Sequence, residues 1–158
     1  MFSENIRKAF LTALTLAWMS VIFGFSADTA EESSGLSMQA ARFLAGLFIK
    51  DFRTLPPEER DRIAAGMQFF VRKGAHMTEY ALLGILLFLT LTLWGIRHIV
   101  RTALSAGILY AALDEYHQTF VPGRSGQVRD VMIDSLGLLF GILLILLWKR
   151  GREGFGKS

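Results

Sequence analysis

The chain has 158 residues, of which 52% are hydrophobic, and its mean hydropathy is +0.39. This composition is too apolar for an ordinary soluble domain, and the apolar residues fall in blocks, as in membrane proteins. The formal net charge is +3, but the basic residues lie at the chain ends and in short loops, which favours a lipid surface over nucleic acid. The chain contains no cysteine, which excludes disulfides and thiolate metal sites.

The first predicted element is a membrane span over residues 6–25. Residues 9–25 carry no charge and would extend roughly 25 Å as a helix, close to the thickness of a hydrocarbon core once flanking residues are added. Arg7-Lys8 and the apolar run after it are similar to the start of a signal peptide, but no Ala-x-Ala-like cleavage signal follows. We therefore expect this segment to be retained as a span.

An outer segment, residues 26–71, is predicted between the first and second spans. Its polar and acidic residues 27–37 predict a loop. From Ser37, a possible N-cap, to Ile49, apolar residues recur at spacings of three and four, which predicts an amphipathic helix on the bilayer surface. The run Pro56-Pro57-Glu58-Glu59 indicates the start of another helix. The sequence leaves open whether that helix joins the second span without a break.

Three further apolar runs predict spans over residues 74–96, 99–120 and 130–148, which gives an all-α membrane protein with four transmembrane helices. The second and fourth spans begin with polar residues, whereas the third ends with them. Because successive spans alternate in direction, we expect these three polar ends on one side of the membrane. A single membrane domain is predicted for residues 1–150, followed by a disordered tail, residues 151–158.

Basic residues indicate which side of the membrane this is. They cluster near the N-terminus, in the connector between the second and third spans, and after the fourth span, with little acid beside them. The positive-inside rule assigns such segments to the cytoplasm. The sequence therefore predicts a multi-pass protein of the plasma (inner) membrane with cytoplasmic N- and C-termini, whose outer segment and polar ends face outward.

Small residues predict where two helices pack closely. Asp130, Asp134, Gly137 and Gly141 recur at intervals of three and four along the fourth span, and Gly137-x-x-x-Gly141 allows another helix to approach. Close approach there would bring polar groups of the neighbouring helix within reach of Asp134.

The polar ends carry more charge than lipid tolerates. An ionised side chain at the centre of a membrane helix costs about 2.5–3.5 kcal/mol even on lenient scales, so such residues are expected to pair and are functional candidates. We predict a paired polar pocket between the second, third and fourth spans, opening outward. The candidate catalytic residues are His76, Glu79, Asp114, Glu115, His117, Asp130 and Asp134. The candidate substrate-binding residues are Arg72, Lys73, Tyr80, Gln118 and Arg124.

Three motifs together resemble the VanZ-like family of integral membrane proteins, and the likeness extends over almost the whole chain. They are Arg72-Lys73-x-x-His76-x-x-Glu79-Tyr80, then Tyr110-Ala111-x-x-Asp114-Glu115-x-His117-Gln118-x-Phe120-Val121-Pro122-Gly123-Arg124, and Asp130-x-x-x-Asp134-x-x-Gly137. The resemblance implies a small multi-span helical protein of the cell envelope. The namesake of the family is associated with resistance to the glycopeptide antibiotic teicoplanin, but the resemblance implies no settled biochemical activity.

The residues leave several interpretations of the pocket open. An enzyme could act on a lipid-linked or amphiphilic envelope substrate, with His117–Asp114 or His76–Glu79 as base and orienting carboxylate and the arginines holding a phosphate or carboxylate. A protein without turnover could instead bind or shield a lipid-linked envelope precursor or a lipoglycopeptide. The cluster could also be a structural network that locks three helices together. Four spans leave little room for a transporter.

No cofactor can be assigned from the sequence, and no metal ligand set is predicted. Histidine and carboxylate side chains suit zinc or manganese in type, but their spacing here is a weak signal. The expected partners are the lipid bilayer and the amphiphilic molecules named above, and no nucleic acid is expected.

Overall fold

A computed structural model describes residues 3–155 of the chain as an assembly of helices. Its elements are α1 (Glu4–Ala27), α2 (Ala30–Phe48), a short 3₁₀ helix (Phe52–Thr54), α3 (Pro57–Leu93), α4 (Ile99–Gln118) and α5 (Val128–Phe155). Residues 3–155 contain no strand, which confirms the all-α prediction.

Three of the helices, α1, α3 and α5, are long and apolar enough to cross a membrane. The predicted third span corresponds to α4, which has 20 residues. Arg101, Asp114 and Glu115 give α4 more charge than the other three helices carry in their apolar stretches. Three of the four predicted spans are therefore supported by length and composition.

The helix α2 begins before the position predicted from the sequence. The Thr29 hydroxyl accepts a hydrogen bond from the Glu32 amide at 3.2 Å, and the Glu32 carboxylate accepts one from the Thr29 amide at 2.8 Å. This capping box starts α2 at Ala30, so the predicted loop over residues 27–37 is wrong. Its signal was missed because polar residues, not an apolar run, follow it. Ser37, the predicted N-cap, lies inside α2 and donates to the Ser33 carbonyl at 2.9 Å.

The helix α3 begins at Pro57, as the proline pair predicts, and continues without a break into the second span. With 37 residues it is about 55 Å long, well beyond a hydrocarbon core of about 30 Å. Its first half packs antiparallel to α2, since Gln68 Nε2 donates to the Ser34 carbonyl at 2.9 Å and Arg42 pairs with Asp61 at 2.9 Å. The segment between the first two spans is thus a packed pair of helices.

Glycines bring α3 and α5 into close contact. A Cβ atom on Gly137 would collide with the Met77 carbonyl, and one on Gly141 with the Ala81 carbonyl. On the other side of the contact, a Cβ on Gly84 would lie 2.5 Å from the Leu138 carbonyl oxygen. These contacts confirm that the small-residue pair of the fourth span is a packing surface.

Contacts between the helices give their relative directions. Thr15 bonds Thr90 at 2.8 Å and the Trp18 indole donates to the Glu79 carbonyl at 2.9 Å, so α1 and α3 are antiparallel. Tyr110 donates to the Met19 carbonyl at 2.6 Å, and further along both helices the His117 ring packs on Phe23, so α4 runs parallel to α1. The polar ends of α3, α4 and α5 therefore meet at one end of the bundle, as predicted.

Beneath that end lies the core, which contains Ile22, Tyr80, Leu83, Ala111 and Leu138. At the far end of the chain, α5 continues through Phe155, into the segment predicted to be disordered, while residues 156–158 lie outside the described residues.

Candidate functional site

A largely buried salt bridge joins α3 to α5 at the polar end. Lys73 Nζ donates to Asp130 Oδ2 at 2.6 Å, and the two side chains are only 18% and 16% exposed. Arg129 Nε lies 4.0 Å from the other oxygen of the same carboxylate. Asp130 also stands in the first turn of α5, where the helix dipole favours an anion. This pair fixes the register in which the polar residues of α3 and α5 meet.

The two histidines contact neighbouring helices. His76 Nδ1 lies 4.0 Å from Asp134 Oδ1 on α5, and it forms no contact of this kind with Glu79. The His117 ring packs on Phe23 of α1 with centroids 4.4 Å apart, and its Nδ1 has no hydrogen-bond partner within residues 3–155. Neither predicted pair, His117–Asp114 or His76–Glu79, forms a hydrogen bond or salt bridge within residues 3–155, so their roles as base and orienting carboxylate stay predictions. Residues three apart share a helix face, but these side chains reach for neighbouring helices instead.

The C-terminal turn of α4 holds the loop that follows it. Gln118 Nε2 donates to Glu115 Oε1 at 3.1 Å and to Asp114 Oδ2 at 3.4 Å. The other Glu115 oxygen accepts the Gln127 amide at 2.9 Å. Gly126 touches the Glu115 carbonyl so closely that a Cβ there would collide. The loop before α5 is thus pinned onto buried groups of α4.

Arg124 ties this loop to the first helix. Its guanidinium donates to the carbonyls of Ser26 at 3.3 Å and of Phe25 at 3.2 Å, in the last turn of α1. A cation there satisfies carbonyls that have no partner within the helix and complements the helix dipole. Burial lowers the pKa of Arg124 from its ordinary value, and the nearby Arg72 adds to that effect.

Two cavities flank these side chains. The first, of about 190 Å³, is lined by residues of α1, α2 and α3 that include His76 and Glu79. The second, of about 240 Å³, is lined by Lys73, Gln118, Asp130 and neighbouring residues. Arg72 and Arg124 line both cavities. Among residues 3–155, neither arginine is in a salt bridge with a carboxylate.

The remaining predicted residues lie beneath the cavities. Asp114, Glu115 and Asp134 are 3%, 4% and 1% exposed, and Tyr80 is fully buried. None of the four lines either cavity. Within the part of the chain that the structure describes, Tyr80 OH, Asp114 Oδ1 and Asp134 Oδ2 are buried without a hydrogen-bond partner. The cluster therefore keeps buried polar capacity that its own members do not use.

The helices α1 and α2 contribute walls that were not predicted from the sequence. The predicted pocket lay between the second, third and fourth spans only, but Phe25 in α1, Asp28 just after it, and Ser33 and Ser37 on α2 line the first cavity. Ser26 is 2% exposed and lies beside Asp114. The motif residues lie on later helices, so the available signal was the polar Ser26 at the end of an apolar span. No group of three or more His, Cys, Asp or Glu side chains in residues 3–155 is arranged to hold a metal ion.

Comparison with known proteins confirms the family resemblance. A family model described as VanZ/LLP1 matches residues 11–149. An uncharacterized membrane protein of Bacillus subtilis (strain 168), YwnJ, is 28% identical over 134 residues, which cover 84% of each chain. No solved structure matches.

Proposed function

The chain belongs to the VanZ/LLP1 family, and from this premise we propose that it is a multi-pass envelope membrane protein that binds the anionic head group of an amphiphilic or lipid-linked molecule. The head group, a phosphate or carboxylate, is held between the two cavities by Arg72 and Arg124. Glu115 positions the loop between α4 and α5, and that loop carries Arg124.

The observation that carries the proposal is the placement of Arg72 and Arg124. Both line both cavities, and neither guanidinium is neutralised by a carboxylate in a salt bridge within residues 3–155. Lys73, in contrast, is paired with Asp130 at 2.6 Å. Guanidinium groups bind phosphate and carboxylate in a planar, bidentate geometry. The proposed ligand is therefore an anion, although the cluster around it is rich in acid.

The binding test uses the purified protein in phosphatidylcholine nanodiscs, with dodecyl phosphate as the probe and native mass spectrometry to count retained molecules. We expect the wild type to retain the probe, and Arg72→Gln and Arg124→Gln to lose most of it. Arg101→Gln, at the start of α4 and at the opposite end of the bundle, is the matched control and should retain it. Equal retention by all four proteins would overturn the proposal.

Turnover is a second candidate function, favoured by His76. Its imidazole lines the first cavity and lies 4.0 Å from a buried aspartate on another helix, an arrangement that suits a general base with its orienting carboxylate. Incubation with total envelope lipids followed by lipid mass spectrometry separates the two: a new product mass that His76→Gln abolishes supports an enzyme, and retention without a new product supports a binder.

The proposal includes a topology of four spans with both termini in the cytoplasm and the arginines facing outward. It is supported by the distribution of basic residues and by the antiparallel course of α1 and α3. The chain has no cysteine, and Ser125 is exposed in the loop before α5. Ser125→Cys should react with a membrane-impermeant thiol reagent in intact cells. Labelling only after permeabilisation would contradict the proposed topology.

A role in resistance to teicoplanin-type glycopeptides is proposed on the family resemblance. If the protein alters access to a lipid-linked cell-wall precursor, its expression in a susceptible strain should raise the inhibitory concentration of teicoplanin. Arg72→Gln, produced at equal abundance, should not raise it. An equal rise with both proteins would separate resistance from the arginine site.

A further inference from the structure

A third cavity opens on the side of α3 that faces α1 and α2. It has a volume of about 680 Å³ and a lining that is mostly apolar, with Trp18 from α1, Leu44 from α2, and Phe70, Gly74 and Leu82 among the α3 residues. We call it the α1–α3 groove. Leu82 is 38% exposed and Phe70 74% exposed, so the groove is open along its side. Because α1 and α3 are both candidate spans, this side faces lipid.

The α1–α3 groove is continuous with the first polar cavity. Val71, Ala75 and Glu79 line both, so the two spaces share one strip of α3. On one side of the strip stand Arg72 and Arg124, and on the other the side chains are apolar. The Trp18 indole donates a hydrogen bond to the Glu79 carbonyl at 2.9 Å. This bond joins the α1 wall of the groove to the shared strip of α3.

From this continuity we infer that the ligand is an amphiphile whose hydrocarbon chain lies in the α1–α3 groove while its anionic head group enters the polar cavity sideways from the bilayer. The inference rests on the proposed function and names the ligand class for the same arginine site. A head group that arrived from the water phase would need only the cavity. A lipid-linked molecule needs a path for its chain, and the shared strip is that path.

The groove offers two glycines on one helix as a matched pair of variants. A Cβ atom on Gly74 meets no atom within 4 Å, and the same holds for Gly66, which lies earlier on α3 and does not line the groove. Gly74→Leu therefore adds a larger side chain at the groove with no collision at its Cβ atom, and Gly66→Leu adds the same side chain outside the groove. Both changes favour the helix, since glycine is a poor helix former, so neither is expected to prevent folding.

Trp18 supplies the reporter for the position of the chain. Trp94→Phe and Trp148→Phe, at exposed positions, leave Trp18 as the one tryptophan. Dodecyl phosphate brominated in mid-chain is added to phosphatidylcholine nanodiscs, and bromine quenches indole fluorescence on contact. Brominated dodecyltrimethylammonium, with the same chain and a cationic head, measures quenching from the bilayer alone. Native mass spectrometry counts retained dodecyl phosphate in parallel.

We expect saturable quenching of Trp18 by the phosphate amphiphile above the level of the cationic control. In Gly74→Leu this excess should be lost while the phosphate amphiphile is still retained, and Gly66→Leu should behave as the parent. Undiminished quenching in Gly74→Leu, with retention that depends on Arg72, would overturn the groove and leave the arginine site standing. Absence of retention in every variant, the parent included, would overturn the proposed function itself.

Discussion

Removal of the Asp130 charge is expected to lower the free energy of unfolding by a measurable amount. Asp130→Asn leaves the Lys73 ammonium without the carboxylate that lies 2.6 Å away. A broken buried pair costs about 3–5 kcal/mol. Because Lys73 and Asp130 keep 18% and 16% exposure, the lower end applies, and we expect a loss of about 3 kcal/mol in the free energy of unfolding.

The double variant Lys73→Met/Asp130→Leu separates scaffold from site. Replacement of a buried pair by apolar residues is often neutral, so we expect the double variant to regain most of the stability lost by Asp130→Asn. Since Lys73 is neutralised by its partner in the wild type, the double variant should retain dodecyl phosphate as the wild type does. The free energy is measured by unfolding in mixed micelles with increasing dodecyl sulfate, followed by circular dichroism.

Two results would refute this reasoning about the pair. A loss below about 1 kcal/mol in Asp130→Asn would mean that the pair behaves as a solvated surface pair. A double variant that recovers stability but not retention would make Lys73 a ligand-binding cation, contrary to its pairing.

Three further outcomes follow from the described contacts. Gly141→Ala should cost about 1–2 kcal/mol, because overpacking against α3 outweighs the gain in helix propensity, whereas Gly24→Ala, with open space around it, should leave the unfolding free energy unchanged or higher. Gly123→Ala should destabilise the protein by about 1–2 kcal/mol, since its φ of 75° is left-handed and Ala30 lies 3.0 Å from the added carbon. The same unfolding assay measures all three glycine variants. Hydrogen bonds from Thr29 lower the pKa of Glu32. Protection of the first α2 amides from hydrogen exchange should therefore be full above the ordinary glutamate pKa range, and it should be lost as the pH falls through the pKa of Glu32 in the folded protein. Unchanged protection would contradict the capping box.

The sequence predicted the helices whose signals are local. Long apolar runs identified the candidate spans, the proline pair located the start of α3, and the Gly137–Gly141 spacing identified the face that packs on α3. Because successive spans alternate in direction, the sequence also predicted that the polar ends of α3, α4 and α5 meet. These successes share one cause: burial in lipid and helix geometry act on neighbouring residues, which the sequence displays directly.

What the sequence did not predict depends on contacts between distant segments. Asp134, not Glu79, lies next to His76. The reason is that α5 approaches α3 closely at its glycines, and residue spacing alone does not predict how closely two helices approach. Arg124 was expected to bind substrate, but the carbonyls at the end of α1 also accept its hydrogen bonds. Helix periodicity reports which residues share a face, whereas partners across helices depend on packing depth and rotation.

The unused polar atoms bear on whether the cluster is a scaffold or a site. A network that only locks helices together is expected to satisfy its own members, because each unsatisfied buried group costs about 1–3 kcal/mol. Asp114, Asp134 and Tyr80 each keep a buried polar atom without a hydrogen-bond partner in residues 3–155. The Lys73–Asp130 pair already joins α3 to α5, and Asp130 Oδ1 is itself buried without a hydrogen-bond partner in that range. Asp114 and Glu115 instead act on Arg124 through their charge without a salt bridge to it in residues 3–155, so this guanidinium stays charged and can attract an anion that brings its own chain from the bilayer.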